Sequence, residues 1–153
     1  MNFKELRSKL KPINSSKIVM VGLGNSYRSD DNAGQVLLKN IIGKNIFTQS
    51  TFVFAGTTPE NCLAEIVAAE PEIVIFFDAV EMGLTPGEIR EIPPDQVETK
   101  GFSTHSYSIK LVENYLKNEN IKLFMYIGVE PETMAVGEGL SEKVRKGIQE
   151  FFN

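Results

Sequence analysis

The sequence predicts an α/β fold, a three-layer sandwich with helices on both faces of a mostly parallel sheet. Short runs of apolar, β-forming residues alternate along the chain with segments of about ten residues whose apolar positions recur at helical spacing. This alternation is typical of a sheet built from strand–helix units and covered by helices on both sides. The chain has 153 residues, a length at which one domain is the default. We therefore expect residues 1–153 to form a single domain.

Five segments are predicted to be strands. They are residues 18–21, 51–55, 73–77, 88–92 and 123–127. Residues 73–77 are an unbroken run of β-formers, which favours the centre of the sheet. Residues 88–92 alternate polar and apolar side chains and are followed by Pro93-Pro94, so this segment is predicted to lie at an edge.

Helical spacing predicts four helices within this alternation. One has apolar positions from Ala33 onward and a stop at Gly43, and another starts at Thr58 with Pro59 in its first turn. A third follows Thr104, and Ser141 is the predicted cap of the last. Residues 1–14 carry a further short helix, capped by Asn2, that we expect to be an appendage to the organised domain.

Composition and charge argue against several classes of protein. With 16 Lys+Arg against 20 Asp+Glu, a net charge of -4 and a pI near 5.1, the chain lacks the cationic surface typical of nucleic-acid binding. A single Cys permits no intramolecular disulfide, and no signal peptide is evident, which favours the cytoplasm. No apolar run approaches the ~20 residues of a membrane span. One His and one Cys do not suffice for the common zinc sites, so any metal is expected to be held largely by oxygen.

Two acids and the only imidazole are predicted to meet at one edge of the sheet. Asp31 follows the first strand, Asp78 follows the third, and His105 precedes a helix. The loops after parallel strands collect at the same edge, where ligands bind in α/β proteins. Two oxygens and one nitrogen with open positions suit a borderline divalent ion such as nickel. Alternatively, the same three groups activate a water as acid and base.

Each of these residues also has a structural interpretation. Asp30 and Asp31 stand where a helix begins, so either acid can serve as a cap. Asp78 can close a turn, although a carboxylate after five apolar residues is expected to be partly desolvated and to need a partner. A lone His near a helix start is often structural. The convergence of all three residues favours a functional site.

Two other motifs are weaker. Gly22-Leu23-Gly24 suggests a dinucleotide-binding turn, but Tyr27 stands where the third Gly belongs and no acid ends the second strand. Cys62 lies within an apolar helix, where nothing favours its ionisation, so we interpret it as a small core residue.

Five motifs in order resemble those of the hydrogenase-maturation endopeptidases. The first, Gly22 to Gly34, has the form G-x-G-N followed by D-D/E-x-x-G. The others are residues 56–61, 77–90, 104–105 and 128–131. The P-E-N and D-A-x-x-M-G-L-x-P-G-E-I-R stretches are most similar to the branch that processes formate-hydrogenlyase (hydrogenase 3) type enzymes. Only the first dozen or so residues fall outside the resemblance.

The resemblance implies a specific function. Members of that family are endopeptidases that remove a C-terminal extension from the precursor of the [NiFe]-hydrogenase large subunit once nickel is inserted. The substrate carries the nickel, which serves as the recognition signal, so the resting enzyme is expected to be metal-free. The enzyme is also expected to be a monomer. The family's metal-binding and catalytic positions fall on Asp31, Asp78 and His105. Hydrolysis would be of an aspartic or metal-assisted type.

The resemblance also implies a fold. The family has an α/β/α sandwich of phosphorylase/hydrolase-like type around a five-stranded mixed sheet with one antiparallel strand. Residues 88–92 would be that strand. Glu130, whose neighbour Pro131 also matches the family, has no role that the sequence identifies.

Two alternatives remain at this point. The V-G-L-G-N stretch is also similar to peptidyl-tRNA hydrolases, but those enzymes rely on a His where this chain has Asp31. A non-catalytic, nickel-binding maturation chaperone would use the same three residues as the protease.

Overall fold

A mixed sheet lies between two layers of helices in the computed structural model, which describes residues 1–97, 101–102 and 106–153. The strands are β1 (Ile18–Leu23), β2 (Thr51–Gly56), β3 (Ile73–Glu81), β4 (Ile89–Ile92), β5 (Gly101–Phe102) and β6 (Leu123–Val129). Five of them form the path β2-β1-β3-β6-β4. The predicted five-stranded mixed sheet and its α/β fold class are confirmed.

Strand directions agree with the sequence expectations. β2, β1, β3 and β6 run parallel, while β4 pairs antiparallel with β6 at the edge. β3 lies at the centre of the path, as its unbroken apolar run predicts. The short β5, which the sequence does not predict, pairs antiparallel with Val80 and Glu81 at the end of β3.

One prediction about β3 was wrong. Asp78 was expected to end the strand and begin a loop, but β3 continues to Glu81. Its pairing with β6 extends through Asp78 and Ala79, and β5 then pairs with its last two residues. Asp78 is therefore a buried carboxylate inside the central strand.

The helices divide between the two faces of the sheet. They are α1 (Phe3–Leu10), α2 (Ala33–Gly43), α3 (Leu63–Ala68), α4 (Ser106–Asn118) and α5 (Glu142–Phe151). Side chains of α1, α2 and α5 share one apolar cluster with Met20, Ile75 and Phe77 of the sheet. Those of α3 and α4 share a second cluster with Val21 and Phe76. The alternation of side chains along each strand thus supplies two cores and produces the three layers.

The N-terminal helix is part of the core. It was expected to be an appendage, yet Phe3, Leu6 and Leu10 are buried in the same cluster as α2 and α5. The Phe3 ring lies 5.0 Å from that of Phe152, so the ends of the chain pack together. The helix was misplaced because this contact joins residues far apart in the sequence, which local spacing does not reveal.

Two of the three predicted caps are present. Asn2 forms a capping box with Glu5, and the Ser141 hydroxyl accepts a hydrogen bond from the Val144 N–H. Thr58 makes no side-chain cap; Pro59 begins a 3-10 turn, and α3 starts only at Leu63. In the part of the chain that is described, no helix is long and apolar enough to cross a membrane.

Candidate active site at the carboxyl edge of the sheet

Asp31 lies in a 3-10 turn, Ser29–Asn32, that joins the carboxyl end of β1 to α2. Its side chain is buried, and its Oδ2 accepts a hydrogen bond from the Asn25 N–H at 2.9 Å. Its Oδ1 is buried with no hydrogen-bond partner among the described residues. Leaving a buried carboxylate oxygen unpaired costs roughly 1–3 kcal/mol or more. The Asp31 Oδ1 atom is therefore suited to bind a cation or a donor.

Asp78 provides the second buried carboxylate. It lies opposite Gly128 in the β3–β6 register, and its Oδ1 accepts a hydrogen bond from the Ala79 N–H at 2.8 Å. Asp78 is held by the pairing of its strand with β6 and by α2, which packs against its backbone at Gly34. Its position is fixed by the core of the domain.

Two glycines permit close backbone contacts around the Asp31 turn, Gly34 with β3 and Gly24 with the turn itself. A Cβ at Gly34 would lie only 2.2 Å from the Phe77 carbonyl oxygen and 2.7 Å from the Asp78 Cα, so only glycine permits this approach of α2 to the strand. Gly24 has φ +141°, and a Cβ there would lie 2.2 Å from the Asp31 carbonyl oxygen. The spacing of the G-x-G-N and D-D-x-x-G residues thus has a direct steric reason.

Asp30 has a structural role. Its buried carboxylate accepts hydrogen bonds from the N–H groups of Glu132, Thr133 and Ser141, at 2.9, 3.1 and 2.7 Å, and from the Ser141 hydroxyl at 2.8 Å. The sequence suggested that Asp30 caps the helix that follows it. It instead ties the loop after β1 to the loop after β6 and to the start of α5.

Glu130 holds the loop that follows β3. Its Oε1 accepts hydrogen bonds from the Met82 and Leu84 N–H groups at 2.8 and 2.9 Å. Its backbone also bonds Gly87 and Glu88 at the start of β4. The structure thus gives Glu130 a positioning role, which the sequence had left open.

Gln35 is a residue that sequence reasoning missed. Its Nε2 donates to the Gly24 carbonyl at 3.1 Å, and its Oε1 accepts from the Gly56 N–H at 3.1 Å. Gln35 therefore joins the carboxyl ends of β1 and β2. The only sequence signal is a polar side chain directly after Gly34 in the first turn of α2.

The environment of the Cys62 thiol does not favour its ionisation. Burial, together with the Glu65 and Glu60 carboxylates, raises the pKa of Cys62, so the group stays protonated at neutral pH. Cys62 was expected inside the apolar helix as a core residue, but it ends the 3-10 turn before α3 and is only partly buried against the second apolar cluster.

His105 lies outside the described residues, so its predicted approach to Asp31 and Asp78 stays a prediction. Among residues 1–97, 101–102 and 106–153, no three His, Cys, Asp or Glu side chains form a group that could hold a metal ion. Asp31 and Asp78 are both buried carboxylates, and one Asp31 oxygen has no hydrogen-bond partner among these described residues.

Comparison with known proteins identifies the family. The sequence model of the HycI hydrogenase maturation protease family matches residues 37–153, a range that includes Asp78 and His105 but begins after Asp31. The chain is 28% identical over 137 residues to the hydrogenase 3 maturation protease of Escherichia coli K12, covering 88% of this chain and 85% of the relative.

Solved structures agree with this result. The crystal structure of a [NiFe] hydrogenase maturation protease HycI from Thermococcus kodakarensis KOD1 has a TM-score of 0.76 at 26% identity, covering 88% of this chain and 86% of that one. The solution structure of the endopeptidase HycI from Escherichia coli shares the fold, with a TM-score of 0.73 at 24% identity and coverage of 87% and 85%. These matches favour the protease over the peptidyl-tRNA hydrolase alternative. The chain belongs to the HycI family of hydrogenase maturation proteases.

Proposed function

We propose that this protein is the endopeptidase that removes the C-terminal extension of a [NiFe]-hydrogenase large-subunit precursor after nickel has been inserted. The observation that carries the proposal is the buried Oδ1 of Asp31, which has no hydrogen-bond partner among the described residues. Gly34, in the helix that follows this turn, packs against the backbone of Asp78. Family membership supports the protease activity. The E. coli relative is named for hydrogenase 3, which supports a substrate of that type.

In this proposal the nickel belongs to the substrate. Asp31, Asp78 and His105 would bind it and so place the scissile peptide at this edge of the sheet. A water then attacks the peptide carbonyl carbon, the C–N bond breaks, and the products are a new carboxylate and a free amine. Because the substrate brings the nickel, the enzyme would need no metal of its own between reactions. We also propose that the enzyme acts as a monomer in the cytoplasm.

Buried carboxylates are well suited to this role. An acid already desolvated by the fold loses little further hydration when it meets a cation, and its attraction to charge is stronger in a medium of low dielectric constant. The Asn25 N–H fixes one oxygen of Asp31 and leaves the other for the ligand. Substrate nickel would bind the Asp31 oxygen that has no partner among the described residues.

Substitution of the proposed ligands tests the activity. Asp31→Asn and His105→Ala are expected to reduce trimming of nickel-loaded precursor to background, while the thermal midpoint of unfolding stays close to that of the wild type. Asp95→Asn, a change of the same kind at an exposed site, is the matched control and should trim normally. Intact-mass measurement of the precursor's C-terminal fragment reports the result. Normal trimming by Asp31→Asn would contradict the assignment.

The same samples separate the protease from a nickel-binding chaperone. Co-migration of the wild-type protein with nickel-loaded precursor, without any loss of C-terminal mass, would identify a chaperone. Trimming at a rate that depends on enzyme concentration identifies the protease.

A further inference from the structure

Two large apolar side chains are exposed at the rim of the candidate site. Val136 is 86% exposed and Tyr27 is 67% exposed, the two highest values among the exposed large hydrophobic residues of the described chain. Single apolar residues on a surface are common, but neighbouring exposed apolar residues beside a functional site are typical of a recognition surface.

Tyr27 and Val136 lie next to each other on two paired loops. Arg28 and Gly137 form a parallel bridge, with the Gly137 N–H donating to the Tyr27 carbonyl at 2.8 Å and the Ser29 N–H donating to the Gly137 carbonyl at 2.8 Å. Because the Gly137 N–H bonds the Tyr27 carbonyl, the backbone of Val136, directly before Gly137, lies beside that of Tyr27.

The paired loops are held firmly beside Asp31. The Tyr27 N–H donates to the Asn25 side chain at 2.9 Å, and the Ser29 hydroxyl donates to the Ala135 carbonyl at 2.9 Å. The Arg28 Nε donates to the Met134 carbonyl at 3.1 Å. Tyr27 lies only four residues before Asp31, and the Asp30 carboxylate bonds the second loop at Glu132 and Thr133. Apolar contacts on such a preorganised surface lose little conformational entropy on binding.

We propose that Tyr27 and Val136 contact the folded body of the nickel-loaded precursor and set the enzyme's affinity for it. This inference rests on the proposed function. Three ligand groups recognise an ion but not the protein around it, whereas protein partners are bound through a few apolar or aromatic anchors, tyrosine prominent among them. Tyr27 precedes the turn that carries Asp31 by two residues, so a protein bound at Asp31 would lie close to this pair.

The test compares two double variants in a trimming assay with nickel-loaded precursor. Tyr27→Ser/Val136→Ser removes the apolar pair. Ile46→Ser/Leu123→Ser is the matched control, since Leu123 begins β6 and Ile46 precedes β2 at the opposite, amino-end edge of the sheet. All four side chains are exposed, although Ile46 and Leu123 less so than Tyr27 and Val136, and thermal unfolding of each variant checks that it is folded. Tyr27→Phe, which keeps the ring, is the conservative variant.

We expect the Tyr27/Val136 variant to raise KM roughly 10- to 100-fold with kcat unchanged, because the contact is equal in the bound and transition states. The control and Tyr27→Phe should keep the wild-type KM. An unchanged KM for Tyr27→Ser/Val136→Ser, with normal trimming by the wild type, would overturn this inference alone. If the wild type does not trim the precursor, the proposed function fails and this inference with it. A wild-type dimer that the double variant abolishes would assign the pair to a second copy of the chain and also overturn the inference.

Discussion

Gly34→Ala should damage the active site through a steric conflict at a single atom. The new Cβ would lie 2.2 Å from the Phe77 carbonyl oxygen and 2.6 Å from its carbon, whereas real Cβ contacts are not found below 3.0 Å. The gap between α2 and β3 must therefore widen by about 0.8 Å. Since β3 is the central strand and its backbone is paired on both sides, the displacement falls on α2 and on the Asp31 turn before it.

The expected magnitudes follow from this displacement. Overpacking costs about 1–3 kcal/mol, and replacing a helical glycine by alanine returns about 0.5–1 kcal/mol. We therefore expect a modest net loss of unfolding free energy. Misplacement of a catalytic group by about 1 Å reduces rates by about 100-fold, so trimming should fall far more than stability does.

Gly43→Ala is the matched control in the same helix. A Cβ at Gly43, the last residue of α2, meets nothing within 4 Å, so the variant should gain at most about 0.5–1 kcal/mol and trim at the wild-type rate. Unfolding in denaturant measures the first quantity, and precursor trimming measures the second. If Gly34→Ala matched Gly43→Ala in both measurements, the steric explanation of the glycine pattern would be refuted.

Two further predictions concern buried carboxylates outside the proposed ligand set. Asp30→Asn places an amide where the carboxylate accepts hydrogen bonds from three N–H groups and one hydroxyl, so the free energy of unfolding should fall by about 1–3 kcal/mol; an unchanged value would contradict the tether between loops. Burial raises the pKa of Glu113, but hydrogen bonds from Lys110 and Tyr126 and the nearby lysine charges outweigh it, so that pKa lies below its ordinary value. Because the folded pKa is depressed, the stabilisation is present above the unfolded pKa, near 4.3, and is lost as the pH falls through the folded pKa. Glu113→Gln should therefore be less stable than the wild type at neutral pH, with a difference that shrinks below about pH 4, whereas a pH-independent difference would contradict this explanation.

Local patterns predicted most of the architecture. The unbroken run at residues 73–77 indicated the central strand, and the alternation at residues 88–92 indicated an edge strand. Both depend on how many faces of the strand are buried, which a short window of sequence reports directly. The continuation of β3 past Asp78 was missed because it depends on pairing with β6 and β5, which a short window of sequence does not report.

The parts of the site that sequence reasoning missed depend on contacts between distant segments. Asp30 bonds Ser141 across 111 positions of sequence, and Glu130 bonds Met82 across 48. Neither contact leaves a periodic pattern. The position of Asp30 before a helix suggested a local cap, and Glu130 after β6 had no role that the sequence identified. The packing of the N-terminal helix was missed for the same reason, since Phe47 and Phe152, the aromatic partners of Phe3, lie far along the chain.

The C-terminal mass of the precursor after incubation with the enzyme tests the central claim most directly. Nickel-loaded and nickel-free large-subunit precursor are compared at equal concentrations. The account predicts that the loaded form loses its C-terminal extension and that the nickel-free form keeps its full mass. Equal trimming of both forms, or trimming of neither, would contradict it.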